Sequence, residues 1–217
     1  VVWSKYDLTG GVNFFMHKST DDGATWTSLG VVFDTSVAGM TEDPYEGATL
    51  IKGADNRLLL FIKMGFDWST IFKYSDDGGI TWSANRMLNL LGPPIYYPDN
   101  SRLSSAIYQG NGKILIYTQK RTSLSNRSTV STDNGNSWSS PSILPSSFLE
   151  NPSLLVTGTT SFYMVGEQKQ MLQPKEIWFV KNNTASWFDS ALVYSHPVDI
   201  LLSPRLTRTS DNSLIVV

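Results

Sequence analysis

The sequence predicts an all-β protein, a β-propeller of four-stranded antiparallel blades. Three observations support this prediction: an eight-residue motif recurs at a fixed period, each copy ends in tryptophan, and short apolar runs separated by turn residues fill the intervals. Aromatic residues make up 12% of the chain and charged residues only 17%, below the usual share of about 25%. Few stretches show the period of an amphipathic helix, so strands are favoured throughout.

The repeated motif reads Ser-x-Asp-x-Gly-x-x-Trp. Three full copies occur, at residues 19–26, 75–82 and 131–138. Both intervals between their tryptophans are 56 residues long. A degraded fourth copy ends at Trp187 after an interval of 49 residues, and it has Asn182 and Thr184 where the other copies have aspartate and glycine.

The motif has a physical explanation as a turn. Its aspartate carboxylate can accept a backbone N–H two residues on, and its glycine supplies a positive φ that a side chain would oppose. The tryptophan then buries a large ring against the neighbouring sheet. We therefore expect a rigid turn between two strands, with the aspartates in structural roles. In the fourth copy Thr184 removes the φ freedom, so that turn should be looser.

The intervals between the motifs repeat a pattern of strands. Each begins with a first strand, predicted over residues 46–52, 103–108 and 153–156. A turn and a second strand follow, predicted over residues 58–62, 113–118 and 161–165. A third strand leads into the motif, over residues 70–74, 125–131 and 176–180. The motif then connects this strand to a fourth, and four strands in about 40 to 50 residues are typical of a propeller blade.

The two ends of the chain supply complementary parts of one more unit. Residues 204–217 resemble a first strand, an Asp-Asn turn and the start of a second strand. Residues 1–6 and 12–18 resemble the rest of a second strand and a third strand that leads into the first motif. Joined head to tail, the interval is again 56 residues. We predict a single domain over residues 1–217 with four repeats in a ring, one blade being shared by the two termini, which closes the sheet edges. The alternative is a slice of a larger propeller.

Charge and composition exclude several classes of function. Lysine and arginine total 17 against 19 aspartates and glutamates, so the chain lacks the basic face that nucleic acids require. No apolar run is long enough for a membrane span. Cysteine is absent, there are only two histidines, and no phosphate-binding or calcium loop occurs, so we expect no metal and no cofactor. The cellular compartment stays open.

Charged residues recur where the first strands begin. In a propeller the first strands line the central channel, so side chains at their starts converge on one mouth. The candidates are Glu46, Glu150 and Asp43 as catalytic acids, and Arg102, Arg205 and Arg208 as substrate-binding cations. Glutamate suits the proton transfers of glycoside cleavage, and arginine pairs with a carboxylated sugar through two hydrogen bonds. The alternative is that these charges pair with one another or line a wet channel.

Two tyrosines and four other arginines have different expected roles. Tyr45, beside Glu46, and Tyr97, in a proline-rich loop, are candidates for stacking on sugar rings, with loop packing as the alternative for the loop. The other arginines fall on turns or outer strands, where we expect solvated side chains: Arg57, Arg86, Arg121 and Arg127.

The motif resembles the Asp-box, also called the bacterial neuraminidase repeat, and its regular spacing is similar to that of the sialidase-type propeller superfamily. The resemblance covers nearly the whole chain. The number of repeats differs, because such sialidases resemble six-bladed propellers and this chain has four repeats. It implies three arginines, a tyrosine nucleophile with a glutamate partner, and an acidic proton donor on a loop. Arg102 and Arg205 match two of the arginines, and residues 203–206 hold the proline and arginine of the family's Arg-Ile-Pro in reverse order. Tyr45 and Glu46 are the nearest match to the tyrosine couple, but adjacent strand residues point to opposite faces.

Three hypotheses for function follow. The resemblance implies a sialidase-like glycoside hydrolase, an exo-glycosidase acting on glycans, or a fragment of one. Asp-boxes also occur in non-catalytic propellers, so the second hypothesis is a module that binds a glycan, a peptide or a sister subunit, with unpaired terminal strands as a route to a homo-oligomer. The segment Glu46-Gly47-Ala48 is similar to the Glu-Gly-Pro strand of furanosidase propellers, which implies a glycosidase with paired carboxylates. A carbohydrate is the expected partner of both enzymes.

Overall fold

Strands dominate the chain, as its composition predicts. A computed structural model describes residues 1–6, 12–34, 48–63, 70–87, 101–120, 126–143, 149–158, 161–168, 175–183, 186–196 and 204–217. In this part of the chain the regular elements are seventeen strands and one short 3-10 turn, so the all-β prediction is confirmed. The strands fall into two compact units, Val1–Asn100 and Ser101–Val217.

The first unit holds one three-stranded and one four-stranded sheet. The three-stranded sheet consists of β1 (Val2–Tyr6), β2 (Val12–Lys18) and β3 (Thr27–Asp34). The four-stranded sheet consists of β4 (Ala48–Lys52), β5 (Leu58–Lys63), β6 (Thr70–Ser75) and β7 (Arg86–Met87). The 3-10 turn, Ala54–Asn56, connects β4 to β5. All neighbouring strands are antiparallel.

The second unit holds two four-stranded sheets and a hairpin. One sheet consists of β8 (Ser101–Gly110), β9 (Lys113–Lys120), β10 (Asn126–Ser131) and β11 (Ser142–Ile143). The other consists of β12 (Leu149–Val156), β13 (Ser161–Gln168), β14 (Lys175–Asn183) and β15 (Ser186–His196). The hairpin pairs β16 (Leu206–Arg208) with β17 (Leu214–Val216).

Each complete sheet is the predicted meander, because its strands hydrogen-bond in sequence order. In two of them an Asp-box connects the third strand to the fourth, and the first box connects β2 to β3 in the same way. The N-terminal sheet therefore supplies the second, third and fourth strands of a unit, and the C-terminal hairpin supplies the first and the start of a second. The strands predicted at both ends are confirmed, whereas the shared blade and the number of blades stay predictions.

The core of the first unit follows from the side-chain pattern of its strands. Along β2 the residues Val12, Phe14 and Met16 are buried and alternate with half-buried neighbours, as expected for a strand with one face on the core. In β5 the whole run from Leu59 to Ile62 is fully buried, so this central strand is covered on both faces. Leu60, Ile62 and Ile71 pack together in one cluster with the buried residues of β2 and with Val32 and Phe33.

The first strands of the second unit lie side by side. β12 lies beside both β8 and β16. The backbone N–H of Leu206, at the start of β16, donates a hydrogen bond of 3.1 Å to the Ser153 hydroxyl of β12. A core of Tyr117, Leu149 and Met164 packs between the sheets. Adjacent first strands are the arrangement that blades around a common axis require.

The turns between first and second strands confirm the sequence prediction. Asp55 and Asn56 have φ of 52° and 61°, Asn111 has φ of 52°, and Asn212 has φ of 67°. Asparagine and aspartate tolerate this left-handed conformation better than other residues with side chains, which explains why they mark these turns.

Candidate functional site

The three Asp-boxes share one set of hydrogen bonds, which explains the serine and glycine of the motif. In each box the first serine accepts the backbone N–H of the glycine four residues on through its Oγ, at 2.8 Å in all three copies. The same hydroxyl donates to the box aspartate at 2.7 or 2.8 Å. The glycines Gly23, Gly79 and Gly135 have φ of 89°, 97° and 86°, as predicted.

The box aspartates accept hydrogen bonds from farther along the chain than the sequence suggests. Asp21, Asp77 and Asp133 each accept the backbone N–H four residues on, at 2.8 to 2.9 Å, not two residues on as predicted. The reason is that the residue before the glycine is also left-handed, which brings the later N–H round to the carboxylate. The residue before the glycine is aspartate, glycine or asparagine in the three copies. Because these residues tolerate positive φ, the sequence could have indicated this second left-handed residue.

The same bonds hold the box carboxylates in their ionised form. The hydroxyls of Thr25, Thr81 and Ser137, followed by the backbone N–H groups, lower the pKa of their aspartates from 3.8 to about 2. A hydrogen bond to the charged form favours that form. The carboxylates therefore accept the hydrogen bonds that hold the turn together, which is the structural role expected for them.

The box tryptophans differ in their surroundings. The indole Nε1 of Trp26 donates to the carbonyl of Gly23 at 3.0 Å, and that of Trp82 donates to Gly79 at 3.1 Å. Trp82 packs against the core of the first unit, as predicted. Trp26 is 49% exposed, so the prediction of a buried ring is wrong for the first box.

The described residues of the fourth motif copy belong to two paired strands. Asn182 is a strand residue of β14 that pairs with Trp187 of β15, and Asn183 pairs with Ser186. The predicted looser turn falls on Thr184 and Ala185, which lie outside the described residues, so it stays a prediction. Up to that point the strands are paired as far as Asn183 and Ser186.

Arg57 is held in place and is not solvated as predicted. Its side chain is only 16% exposed, and its Nε and a terminal nitrogen donate to the two carboxylate oxygens of Asp76 at 2.6 and 3.0 Å. Its guanidinium also lies 4.3 Å from the ring centre of Tyr74. The hydrogen bond to Asp76 raises the pKa of Arg57. This arginine fastens the β4–β5 turn to the second box.

The predicted site residues divide between two parts of the chain. Asp43, Tyr45, Glu46 and Tyr97 lie outside the described residues, as does Arg121. Of the others, Arg102 and Glu150 are the second residues of β8 and β12, Arg205 directly precedes β16, and Arg208 ends it. Arg102, Glu150 and Arg205 therefore lie at or directly before the starts of three first strands, of which β12 neighbours the other two, and their roles stay predictions.

Both long first strands change register close to their charged residue. In β8, Arg102 pairs with Gln119, and the register then shifts between Leu103 and Ser105. The register of β12 also shifts, because β12 has one extra residue between Glu150 and Ser153 relative to its partner β13. The segment contains Pro152, which has no N–H for the ladder. Bulges of this kind bend a strand and are common beside active sites.

Glu167 is a residue that the sequence analysis missed. It lies on β13, directly opposite Glu150 in the register, and is only 5% exposed. Glutamate is rarely buried to this extent. The sequence signal that could have indicated it is an acid directly after the apolar run Met164-Val165-Gly166. The two acids come from adjacent strands of one sheet.

Two further classes of site were sought in the described part of the chain. No group of three or more histidine, cysteine, aspartate or glutamate side chains there is arranged to hold a metal ion. Within the same residues, no helix has the length and apolar character to cross a membrane.

A family model described as a BNR repeat-like domain matches residues 5–197. No curated protein matches the sequence. Among solved structures, NanB sialidase from Streptococcus pneumoniae is similar with a TM-score of 0.59 and 15% identity, over 94% of this chain and 32% of NanB. An exo-β-1,3-galactanase from Clostridium thermocellum matches with a TM-score of 0.55 and 9% identity, over 88% of this chain and 47% of the galactanase.

A GH43 β-1,3-galactosidase, solved with galactodeoxynojirimycin, is similar over nearly all of this chain and most of its own. Its TM-score is 0.53 at 11% identity, with 98% of this chain and 83% of the galactosidase covered. The present chain therefore spans about a third of NanB but most of this galactosidase. At these identities the likeness shows the fold, which is the sialidase-like propeller type that the Asp-boxes predict.

Proposed function

The chain belongs to the BNR repeat-like domain family, and we propose that it is a sialidase-like glycoside hydrolase that acts on glycans at the starts of its first strands. One observation carries the proposal: Arg102 and Glu150 occupy the same position on neighbouring first strands, and each is followed by a register shift. Sialidases and galactosidases are among the solved proteins with this fold.

The proposed chemistry divides the work between acids and arginines. Glycoside cleavage needs one carboxylic acid that protonates the leaving oxygen and a second group that acts as base or nucleophile. We assign the proton transfer to Glu150, and for the second role Glu46 and Asp43 stay the candidates that the sequence predicts. Arg102 and Arg205 would hold an acidic group of the sugar through paired hydrogen bonds.

Three more residues complete the proposed site. Arg208 would extend the positive charge along β16, since it ends that strand and is exposed. Tyr45 and Tyr97 stay the sequence-predicted candidates for contact with a sugar ring. A carbohydrate is therefore the proposed partner of the chain.

Turnover of fluorogenic glycosides tests this proposal. A panel should include an α-sialoside, a β-galactoside and an α-arabinofuranoside. For the substrate that is cleaved, Glu150→Gln should lower kcat by at least about 100-fold, the usual size of a lost general acid. Glu176→Gln is the matched control, because Glu176 lies on the third strand of the same sheet and accepts a hydrogen bond from Trp178 at 2.8 Å. An unchanged kcat in Glu150→Gln, or no turnover of any substrate, would overturn the proposal.

The pairing of Glu150 with Glu167 favours a second candidate function, a carboxylate-pair glycosidase for uncharged sugars. Such an enzyme needs two carboxylates and no arginine set. The double variant Arg102→Gln/Arg205→Gln distinguishes the two. It should abolish cleavage of the sialoside if the first proposal holds, and cleavage of a galactoside or arabinofuranoside should persist if the second holds. A chain that binds glycans without cleaving any would be the non-catalytic propeller.

A further inference from the structure

A cleft in the first unit shares no lining residue with the proposed active site. It has a volume of about 470 Å³, within the range of small-molecule sites. Its walls come from the end of β2, the first box and the β4–β5 turn. The residues that matter for its chemistry are His17, Lys18, Trp26, Lys52, Asn56 and Leu58.

The cleft lies at one end of its own four-stranded sheet. Lys52, in its wall, is the last residue of β4, whose first residue is Ala48. Five strand residues span roughly 16 Å. The cleft is therefore at the box end of this sheet, opposite to the end where β4 begins.

The charge in the cleft is positive. Lys18 and Lys52 are both exposed, and none of the lining residues is acidic. Within the described residues neither lysine forms an ion pair. Lys18 reaches over the second box, where its Nζ is 3.4 Å from the point that a side chain on Gly78 would occupy. Two ammonium groups in a cleft without an acidic lining residue make a site for an anion.

The cleft also offers an aromatic surface and polar groups. One side of the Trp26 ring lies on its own turn, held by the bond from Nε1 to the Gly23 carbonyl, yet 49% of the residue is exposed. His17 is half-buried, and its Nδ1 accepts a hydrogen bond from Trp3 at 3.1 Å. The neutral ring then carries its proton on Nε2. Asn56 adds an amide with donors and an acceptor.

We infer that this cleft binds an anionic saccharide, with its acidic group at Lys18 and Lys52 and a sugar ring against Trp26. An inorganic anion would leave the indole unused, and an uncharged sugar would leave both ammonium groups unused. The amide of Asn56 and the imidazole of His17 match the hydroxyl groups of a sugar. The site is independent of the proposed hydrolysis, because it shares no residue with the proposed active site.

Isothermal titration with trigalacturonate tests the inference, with galactotriose as the uncharged probe. The wild-type chain should bind trigalacturonate more tightly than galactotriose. Lys18→Gln/Lys52→Gln should weaken that binding by at least about tenfold, since hydrogen bonds to charged groups are strong. Lys5→Gln is the matched control, because Lys5 is exposed on β1 and does not line the cleft. It should bind like the wild type, and so should Glu150→Gln.

Four results would overturn the inference. Equal affinity for galactotriose would show that the charge of the ligand does not contribute to binding. An equal loss of trigalacturonate affinity in Lys5→Gln would show that the effect is not specific to the lysines of the cleft. Displacement of trigalacturonate by adenosine monophosphate at similar concentration would identify the ligand as a nucleotide. Absence of trigalacturonate binding to a folded wild-type chain would refute the site itself, whatever the hydrolysis assay shows.

Discussion

The first and second Asp-boxes have the same internal hydrogen bonds but different surroundings. In both boxes the serine holds the glycine N–H at 2.8 Å. Ser75 is only 2% exposed, and Gly79 is buried beneath Met16 and Leu29 of the neighbouring sheet. In the first box, by contrast, the serine is half-buried and the glycine is exposed. The comparison teaches that the turn forms from its own residues, whereas its contribution to stability depends on what packs over it.

Substitution of the box glycines should separate these two contributions most strongly. Any side chain at Gly79 is strained, because φ is 97°, and its Cβ would also lie 2.9 Å from Met16. Gly23→Ala carries the backbone strain with only an ordinary contact at 3.7 Å to Trp26. We expect Gly79→Ala to lower the free energy of unfolding by about 2 to 4 kcal/mol and Gly23→Ala by about 1 to 2 kcal/mol, as measured by urea unfolding.

Gly30→Ala is the control for these two variants. Gly30 has φ of 85° and open space around it, so alanine adds backbone strain alone. Its effect should match that of Gly23→Ala. Equal losses in Gly79→Ala and Gly30→Ala would contradict the claim that packing distinguishes the boxes.

Removal of the box serine hydroxyl should have the next largest effect. Ser75→Ala leaves the buried N–H of Gly79 without its acceptor, which costs about 1 to 3 kcal/mol. Ser19→Ala should cost less than about 1 kcal/mol, because water can reach the N–H of the exposed Gly23. Thermal unfolding of both variants measures the difference. A larger loss of stability in Ser19→Ala than in Ser75→Ala would contradict the claim that burial raises the contribution of the box.

The sequence predicts the parts of the fold that depend on neighbouring residues. The box turns and the Asp55-Asn56 turn follow from local chemistry, and the alternation in β2 follows from one buried face. The differing exposure of Trp26 and Trp82 could not be predicted, because it depends on which sheet lies over each ring.

The candidate site divides in the same way. The starts of the first strands were predictable from the repeat, so Arg102 and Glu150 could be assigned to them, and their roles in a site stay predictions. Glu167 was missed because its significance depends on strand register, and the ion pair of Arg57 with Asp76 depends on the approach of two turns. These relations join residues that no local pattern connects.

Acid should destabilise all three boxes through their aspartates. The pKa of Asp21 and of Asp77 is lowered from 3.8 to about 2, and that of Asp133 likewise, so the folded chain binds these protons less readily than the unfolded chain. Their stabilising effect is complete above about pH 4 and is lost as the pH falls towards 2. Replacing all three by asparagine should flatten the pH dependence of the unfolding midpoint in this range. Asp22→Asn is the control, and an unaltered slope in the triple variant would contradict the role of these carboxylates.

Substitution of the box tryptophans should give the smallest effects. Trp82→Phe removes atoms that pack against the core of the first unit and should cost about 1 to 2 kcal/mol. Trp26→Phe should cost about 0.5 kcal/mol or less, because the ring is half exposed. Urea unfolding of both variants measures these costs. Equal costs would show that the two rings are equally covered in solution.

The central claim is that the repeated units bring the charged starts of their first strands into one sugar-binding site. Backbone amide NMR during titration with the sugar released by the active substrate tests this most directly. The account predicts that the amides of Arg102, Glu150 and Arg205 shift together and saturate at one sugar concentration, while those of Gly79 and Gly135 in the boxes stay unchanged. Shifts confined to the boxes, or three amides that saturate at different concentrations, would contradict it.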